Sequence, residues 1–176
     1  PKAPVYVMHR APSTERIGQI MGFSEQLVAF CAAVETGDGG RLAALFSEDG
    51  VYDDLFYGAF AGRPAIAAMY HDLWCRDGER FCWEMEDVVA DGHLGYARYY
   101  FSYTSKKAET PGRRVYFEGV ACFRLQHGLI ARYEEVVRTG ECLSGLGIPP
   151  EKQLRVAAKW NERQNTSARA MRHLAL

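Results

Sequence analysis

The stretch that decides the fold runs from Gly50 to Pro64 and reads G-V-Y-D-D-L-F-Y-G-A-F-A-G-R-P. The stretch opens with strand-forming residues, which are followed by two consecutive carboxylates, Asp53 and Asp54. Gly58, further along, can supply a turn or a bulge. Because strand side chains alternate between the faces of a sheet, we expect one carboxylate to face an apolar interior. Burial among aromatic rings would raise its pKa and make it a better proton acceptor. The alternative is a solvated pair of turn residues at a strand end.

The composition indicates a single globular domain with an ordinary core. The chain has 176 residues, of which 48% are hydrophobic and 24% charged. With 21 Lys and Arg against 22 Asp and Glu, the formal net charge of -1 gives no electrostatic basis for binding nucleic acid. The apolar runs are too short to span a membrane, and the N-terminal residues do not resemble a secretory signal. We therefore expect a cytoplasmic protein with neither nucleic acid nor membrane as a partner.

The cysteines and histidines give no pattern of a metal or disulfide site. The five cysteines form no C-x-x-C pair, and their odd number favours reduced thiols. The five histidines are scattered and form neither H-x-H nor H-x-x-x-H. We expect no metal and no cofactor. His71, one position off the apolar stripe of a predicted helix, remains a candidate acid or base, with a half-exposed histidine as the alternative.

Three helices are predicted before the sheet. Residues 1–22 are an N-terminal arm with a possible short helix from Ser13 or Thr14 until Gly22. A clearer helix is capped by Ser24, and a short second one follows the Gly37–Gly40 turn. The third opens at Arg63 and Pro64, with proline near its first turn.

From Phe81 onward, apolar residues recur with the two-residue period of β-strands. The four predicted strands are Phe81–Ala90, His93–Thr104, Arg114–Leu125 and Leu129–Val137. Their turns predict an antiparallel meander. A last, basic helix runs from about Glu151 toward Arg172, with Leu154, Ala157, Trp160, Ala168 and Met171 loosely on one side.

The element order predicts an α+β fold. Three N-terminal helices pack on a curved, mainly antiparallel sheet to form a cone-shaped α+β barrel, and a C-terminal helix follows. The domain boundaries we predict are an arm at 1–22, the barrel at 23–140 and a helical extension at 141–176. The open end of the cone would admit a small molecule.

Three segments resemble a known family. The run A-F-C-A-A-V-E-T-G-D-G-G-R-L-A-A-L-F-S-E-D-G-V-Y-D-D is similar to the opening of SnoaL-like and ketosteroid-isomerase-like proteins of the nuclear transport factor 2-like superfamily. A-G-R-P-A-I matches the entry to the third helix of that superfamily, and A-C-F-R-L-Q-H-G-L-I-A-R-Y-E-E its final hairpin. The resemblance covers roughly residues 23–138 and implies the same cone, but one fold hosts many functions.

The resemblance assigns residues one by one. Asp54 falls where ketosteroid isomerases keep their general-base aspartate. Phe30 stands where a tyrosine would donate to the oxyanion, and Ala121 where a protonated aspartic acid would donate beside it. SnoaL-type cyclases also keep their acid/base aspartate at the position of Ala121. Because such donors are commonly the largest catalytic factor, their absence counts against a steroid isomerase or a cyclase mechanism of that type.

Limonene-type epoxide hydrolases resemble the chain in its last strand. Glu135 matches a catalytic aspartate of those enzymes and Tyr133 the tryptophan beside it. Arg98 matches their catalytic arginine, and Tyr100 then replaces their remaining aspartate. For Glu135 the alternative is a surface ion pair, and for Arg98 a structural pair with Asp53, Glu86 or Glu135.

Aromatic residues at strand and helix spacings are candidates for a pocket, with plain core as the alternative. The predicted substrate-binding residues are Phe30, Tyr52, Tyr57, Tyr70, Trp74, Trp83, Tyr100, Phe117 and Ala121, and Tyr99 and Tyr103 share the same periodicity. The predicted catalytic residues are Asp54, Asp53, Arg98, Glu135 and His71. Lys107 belongs to a basic loop that could meet an anionic substrate, although a solvated loop is the simpler interpretation.

The sequence supports two main hypotheses and one weaker one. The first is a cofactor-independent enzyme that acts on a small apolar organic molecule by general acid/base chemistry, of the isomerase, cyclase, dehydratase or epoxide-hydrolase type. The second is a non-catalytic ligand-binding or accessory dimer using the same pocket, and a protein-interaction module is the third. We also predict a homodimer through the outer face of the meander, where Tyr116, Glu118, Val120, Cys122 and Arg124 would point.

Overall fold

The helices before the sheet follow the apolar stripes of the sequence, in a computed structural model that describes residues 22–176. The first three helices are α1 (Phe23–Glu35), α2 (Gly39–Ala44) and α3 (Arg63–Ala68). Leu27, Phe30 and Val34 of α1 are buried, as their spacing predicts. The helix predicted between Ser13 and Gly22 lies outside the described residues.

Two details of these helices differ from the prediction. α1 begins at Phe23 rather than after Ser24, because the Glu25 carboxylate accepts a hydrogen bond of 3.3 Å from the Gly22 N–H. The third helix does not stay α-helical. After α3 it continues as a π-helical segment, Met69–Trp74, and one further turn, α4 (Cys75–Asp77). Such widened turns are often found at functional sites.

Six strands form one curved sheet. They are β1 (Phe46–Asp54), β2 (Gly58–Ala61), β3 (Gly78–Ala90), β4 (Leu94–Ser105), β5 (Arg114–Gln126) and β6 (Leu129–Val137). Their order across the sheet is β2-β1-β6-β5-β4-β3. The predicted antiparallel meander of the last four strands is confirmed, and β1 joins it parallel to β6.

The sheet bends without closing, so the cone has an open edge. Register shifts between Glu79 and Cys82 and between Glu86 and Val89 mark two bulges in β3. Arg80 and Asp87, within these bulges, have positive φ angles of 53° and 51°. Because a bulge bends its strand and increases the local twist, β3 can curve around the helices. The hairpin of β2 with β1, which turns at Gly58 with φ of 94°, was not predicted as a strand pair.

Aromatic rings fill the space between α1 and the concave face of the sheet. Phe30 is fully buried and packs against Tyr52, Trp83, Phe123 and Tyr133, with ring centroids 5.2 to 6.2 Å apart. Such ring pairs contribute beyond the area that they bury. This cluster fixes the inner end of the cone.

The C-terminal part differs from the single predicted helix. It contains α5 (Thr139–Gly145), α6 (Pro150–Asn165) and α7 (Ala168–Leu174). α5 was not predicted, and the expected long helix breaks because the Ser167 hydroxyl caps α7 by accepting from the Ala170 N–H at 3.1 Å. Leu154 and Met171, predicted on an apolar face, are 73% and 60% exposed. Among residues 22–176, no helix is long and apolar enough to cross a membrane.

Candidate active site

A cavity opens at the wide end of the cone, between the concave face of the sheet and the π-helical segment. Its empty volume, including the open mouth, is about 730 Å³. Its aromatic walls are Tyr52, Phe56, Tyr57, Trp74, Phe81, Trp83, Tyr99, Phe101, Tyr103 and Phe117. Charged residues line it at four positions, Asp54, Asp77, Lys107 and Glu135, and Leu146 and Ile148 complete the wall.

Asp54 is the buried member of the carboxylate pair in the opening stretch. Its side chain is 4% exposed. One carboxylate oxygen accepts hydrogen bonds from the backbone N–H groups of Phe56 (2.8 Å) and Tyr57 (2.9 Å), and the other accepts from the Trp74 indole at 3.1 Å. Burial raises the pKa of Asp54, and the three hydrogen bonds oppose that rise. The predicted inward carboxylate is therefore Asp54, firmly held in place.

Glu135 is the second carboxylate of the cavity. Its side chain keeps partial solvent contact through the cavity and accepts a hydrogen bond of 3.1 Å from the Tyr133 hydroxyl. Burial raises the pKa of Glu135 to about 7, and the charge of Asp54 makes the second-largest contribution to this rise. The alternative of a surface ion pair for Glu135 does not hold, because β6 turns this side chain to the concave face, where it lines the cavity. A carboxyl group with such a pKa can give or take a proton near neutral pH.

Asp53 points the opposite way and joins two parts of the chain. It pairs with Arg132 of β6 and, at 3.0 Å, with Arg163 of α6. Nearby, the Phe56 ring in the cavity wall lies 6.0 Å from the Trp160 ring of α6. We call these three contacts, Asp53 with Arg132, Asp53 with Arg163 and Phe56 with Trp160, the α6 clasp. Asp53 was predicted as catalytic, but it lies outside the cavity and holds α6 against the cavity wall.

The remaining charges of the cavity form a closed network at its mouth. The Tyr57 hydroxyl donates to Asp77, which also pairs with Arg76 at 2.7 Å and with Lys107 at 3.2 Å. The Arg76 guanidinium, with Tyr57 and Lys107, holds the pKa of Asp77 well below its usual range. Asp77 therefore stays ionised, and Lys107 is paired within the protein.

Five of the nine predicted substrate-binding residues line the cavity: Tyr52, Tyr57, Trp74, Trp83 and Phe117. Three others lie in the core. Phe30 and Ala121 are 0% exposed and do not reach the cavity wall. Tyr70 is buried with its hydroxyl donating to the Val34 carbonyl at 2.6 Å, so its polar group is already used.

Tyr100 and two of the predicted catalytic residues lie away from the cavity. Arg98 is on the convex face of β4, where its half-exposed guanidinium is 3.6 Å from Asp87 and 5.5 Å from the centre of the Tyr100 ring. Tyr100 shares that face because it lies two residues further along the strand. His71 is exposed on the π-helical segment, edge-on to Tyr70.

The predicted site residues of β4, Arg98 and Tyr100, lie on its convex face, whereas the opposite face of this strand lines the cavity. Tyr99 and Tyr103, which the sequence predicts as pocket candidates, line the cavity together with Phe101, which it does not; the alternation of the strand from the buried Ala97 indicates all three. Asp77, Phe56 and Phe81 were also missed, as were Leu146 and Ile148. No pattern in the sequence marks the last two, since they follow a helix that was not predicted.

The curved sheet, the covering helices and the carboxylate-bearing cavity define a cone of the ketosteroid-isomerase-like type. Residues 27–133, more than half of the chain, match the model of the SnoaL-like domain. The chain therefore belongs to the SnoaL-like family. No curated protein sequence gives a significant match.

Solved structures share the fold at low sequence identity. A hypothetical protein with a ketosteroid isomerase-like fold from Catenulispora acidiphila, in complex with trimethylamine, is 20% identical, with a TM-score of 0.62 over 71% of this chain and 94% of its own. TsrD from Streptomyces laurentii is 21% identical, with a TM-score of 0.61 over 72% and 95%. An LEH-like epoxide hydrolase from M. tuberculosis is 20% identical, with a TM-score of 0.57 over 69% and 86%. These likenesses show the fold alone.

Proposed function

We propose that the protein is a cofactor-independent enzyme that moves a proton on a small, largely apolar organic molecule. The observation that carries the proposal is the position of Glu135 beside Asp54 in an aromatic cavity, with a pKa of about 7. A general base is most effective when its pKa lies near the working pH. The aromatic walls favour a flat apolar substrate, and the fold neighbours that include an epoxide hydrolase support small-molecule chemistry.

The two carboxylates would have different roles. Asp54 accepts three hydrogen bonds, which leave few of its lone pairs free for a substrate. Glu135 accepts one of 3.1 Å from the Tyr133 hydroxyl, has the Tyr99 hydroxyl and the Leu55 backbone nearby, and lines the cavity while keeping partial solvent contact. We assign the proton transfer to Glu135. Asp54 would maintain the high pKa of Glu135 by its charge and keep Trp74 in place.

The first experiment identifies a substrate and then removes the base. A panel of terpenoid epoxides, conjugated ketones and polyketide-like aromatics is screened by thermal shift, since a ligand stabilises the folded state that binds it. Compounds that bind are incubated with the protein and analysed for products. We expect Glu135→Gln to lower kcat about 10²- to 10⁴-fold and to change ligand affinity little. In the wild type, kcat/KM should rise through about pH 7.

Glu134→Gln is the matched control, because Glu134 is the adjacent residue and pairs with Arg132 on the opposite face of β6. Its turnover should equal that of the wild type. Full activity of the Glu135→Gln variant would exclude Glu135 as the base. If every bound compound is recovered unchanged, the protein is a binding protein that uses the same cavity.

We further propose a homodimer and a functional extension. The convex face of the sheet exposes Val89, Tyr96, Val120 and Val136, a set of apolar side chains that a second copy would cover.

We retain residues 23–140 as the SnoaL-like domain and 141–176 as an extension, which completes the cavity wall with Leu146 and Ile148.

A further inference from the structure

The charged residues of the cavity lie at different depths. Asp54 and Glu135 are inside, where Asp54 is buried and Glu135 keeps only partial solvent contact. Lys107 lies at the mouth, with its side chain 43% exposed. Its ammonium nitrogen is 5.9 Å from the centre of the Tyr57 ring, which is part of the cavity wall. A molecule that enters the cavity therefore meets a cation at the mouth and carboxylates further in.

The mouth carries more positive charge than its acid compensates. Lys107 contacts Asp77 at 3.2 Å. However, Arg76 already binds both carboxylate oxygens of Asp77, at 2.7 and 3.0 Å, and the Tyr57 hydroxyl donates to one of them. Two cations thus share one carboxylate, which leaves one positive charge. Because an ammonium group has three N–H donors, the contact with Asp77 leaves donors of Lys107 available to a ligand.

Arg113 adds a further cation beside the mouth. It belongs to the same loop as Lys107, between β4 and β5. Its guanidinium packs on Gly147, in the segment after α5 that completes the cavity wall, where an added Cβ atom would stand 2.5 Å from Nη1. Arg113 is exposed and makes no ion pair among residues 22–176, and Glu109, the acidic residue of the loop, pairs with neither cation there.

We propose that the substrate carries a carboxylate that stays at the mouth beside Lys107 and Arg113, while its apolar body enters the cone toward Glu135. This inference rests on the proposed function and names the substrate class for it. A carboxylate directed inward would be repelled by the charge of Asp54. Directed outward, it pairs with cations and keeps part of its hydration. A carboxylate is also planar and can continue a flat ring system.

The arrangement of charges thus selects one orientation of the substrate, with Lys107 as a specificity-determining residue. The substrate class is a flat, mostly apolar organic acid whose reacting part lies away from its carboxylate. The same acid entering in the opposite direction would place its charge between two carboxylates and leave Lys107 without a ligand.

The test compares 2-naphthoate with 2-naphthamide, two probes of nearly equal shape that differ in charge. Binding is measured by calorimetry at low and at high salt concentration. We expect the wild type to bind 2-naphthoate about fivefold more tightly at low salt, and less so at high salt, because salt screens exposed charges. Lys107→Met should weaken 2-naphthoate binding about fivefold and leave 2-naphthamide binding unchanged. Arg113→Gln should cause a smaller loss of the same kind.

Lys106→Met is the matched control. Lys106 is the adjacent residue and carries the same charge, but its ammonium donates to the Cys75 carbonyl at 2.6 Å and does not line the cavity. This variant should keep the preference of the wild type. The proposal is overturned if the wild type does not prefer 2-naphthoate, if Lys107→Met keeps the preference, or if Lys106→Met removes it equally. None of these measurements needs turnover, so their outcome is separate from that of the Glu135→Gln assay.

Discussion

Glu135 and Asp54 lie in one cavity, but their charges are stabilised to different degrees. Asp54 accepts hydrogen bonds of 2.8 to 3.1 Å from two backbone N–H groups and an indole, whereas Glu135 accepts one of 3.1 Å from the Tyr133 hydroxyl and is stabilised further by the nearby Tyr99 hydroxyl and Leu55 backbone. Hydrogen bonds to a carboxylate favour its charged form, but at Glu135 burial and the charge of Asp54 outweigh them, so the protonation of Glu135 changes near neutral pH. The pKa of about 7 follows from burial that is only partly compensated.

The titration of Glu135 should therefore lower the free energy of unfolding of the protein as the pH rises. The folded state holds the Glu135 proton up to about pH 7, whereas an unperturbed glutamate releases it near pH 4.5. Between these values the folded state binds more protons than the unfolded chain, so deprotonation there costs stability, up to about 3 kcal/mol. This loss is measured by urea unfolding of the wild type and of Glu135→Gln at pH values from 4.5 to 8, which gives the free energy of unfolding of each protein.

The comparison with Glu135→Gln removes the contribution of titrating groups distant from Glu135, because those contribute equally to both proteins. We expect the wild type to lose stability relative to the variant as the pH rises through this window, and the difference to level off above it. A difference that is constant with pH would show that Glu135 titrates like an exposed glutamate.

At the level of elements, α6 is attached to the rest of the domain near its N-terminus by Gln153, whose side chain donates to the Ile148 carbonyl at 2.7 Å, and near its C-terminus by the α6 clasp. None of its residues is buried, and the Arg163 side chain is 56% exposed while that of Asp53 is 17% exposed. Arg163→Gln should therefore loosen the helix. We expect hydrogen exchange of residues 150–165 to become about threefold faster, as loss of a partly exposed ion pair allows, with little change in the strands.

Arg155→Gln provides the control on the same helix, since Arg155 has no ion pair among residues 22–176. Its exchange should match that of the wild type. Equal exchange in the Arg163→Gln variant would mean that the remaining contacts retain the helix.

The elements also show what the sequence could and could not predict. The four meander strands and the stripe of α1 were predictable, because their apolar residues recur at strand and helix spacings. Arg98 and Tyr100 were misplaced because the face of β4 was set by likeness to another enzyme rather than by alternation. The clasp was not predictable, since Asp53 and Arg163 are 110 residues apart in the chain. Likewise, no local pattern indicates the π-helical turns that carry Trp74 to Asp54.

At the scale of the whole molecule, the convex face of the sheet carries the proposed dimer contact. Val120 lies opposite Val136 across β5 and β6, and Val89 opposite Tyr96 across β3 and β4. We expect sedimentation equilibrium at micromolar concentration to give about twice the mass of one 19.8 kDa chain. Val120→Lys should give a monomer, because it would bury an unpaired charge in the contact.

Leu154→Lys, on an exposed apolar residue of α6, controls for the loss of any surface hydrophobe and should stay dimeric. A wild-type protein that sediments as a single species of one chain mass would contradict the dimer.

The α6 clasp also bears on how long a ligand stays in the cavity. Phe56 is part of the cavity wall, and the helix that contacts it is held by charges that salt screens over about 8 Å at physiological ionic strength. Raising the salt concentration should loosen α6 and shorten the residence time of a bound molecule, even one that carries no charge itself. The salt content of the surroundings would then influence the exchange of an uncharged compound through two arginines that never touch it.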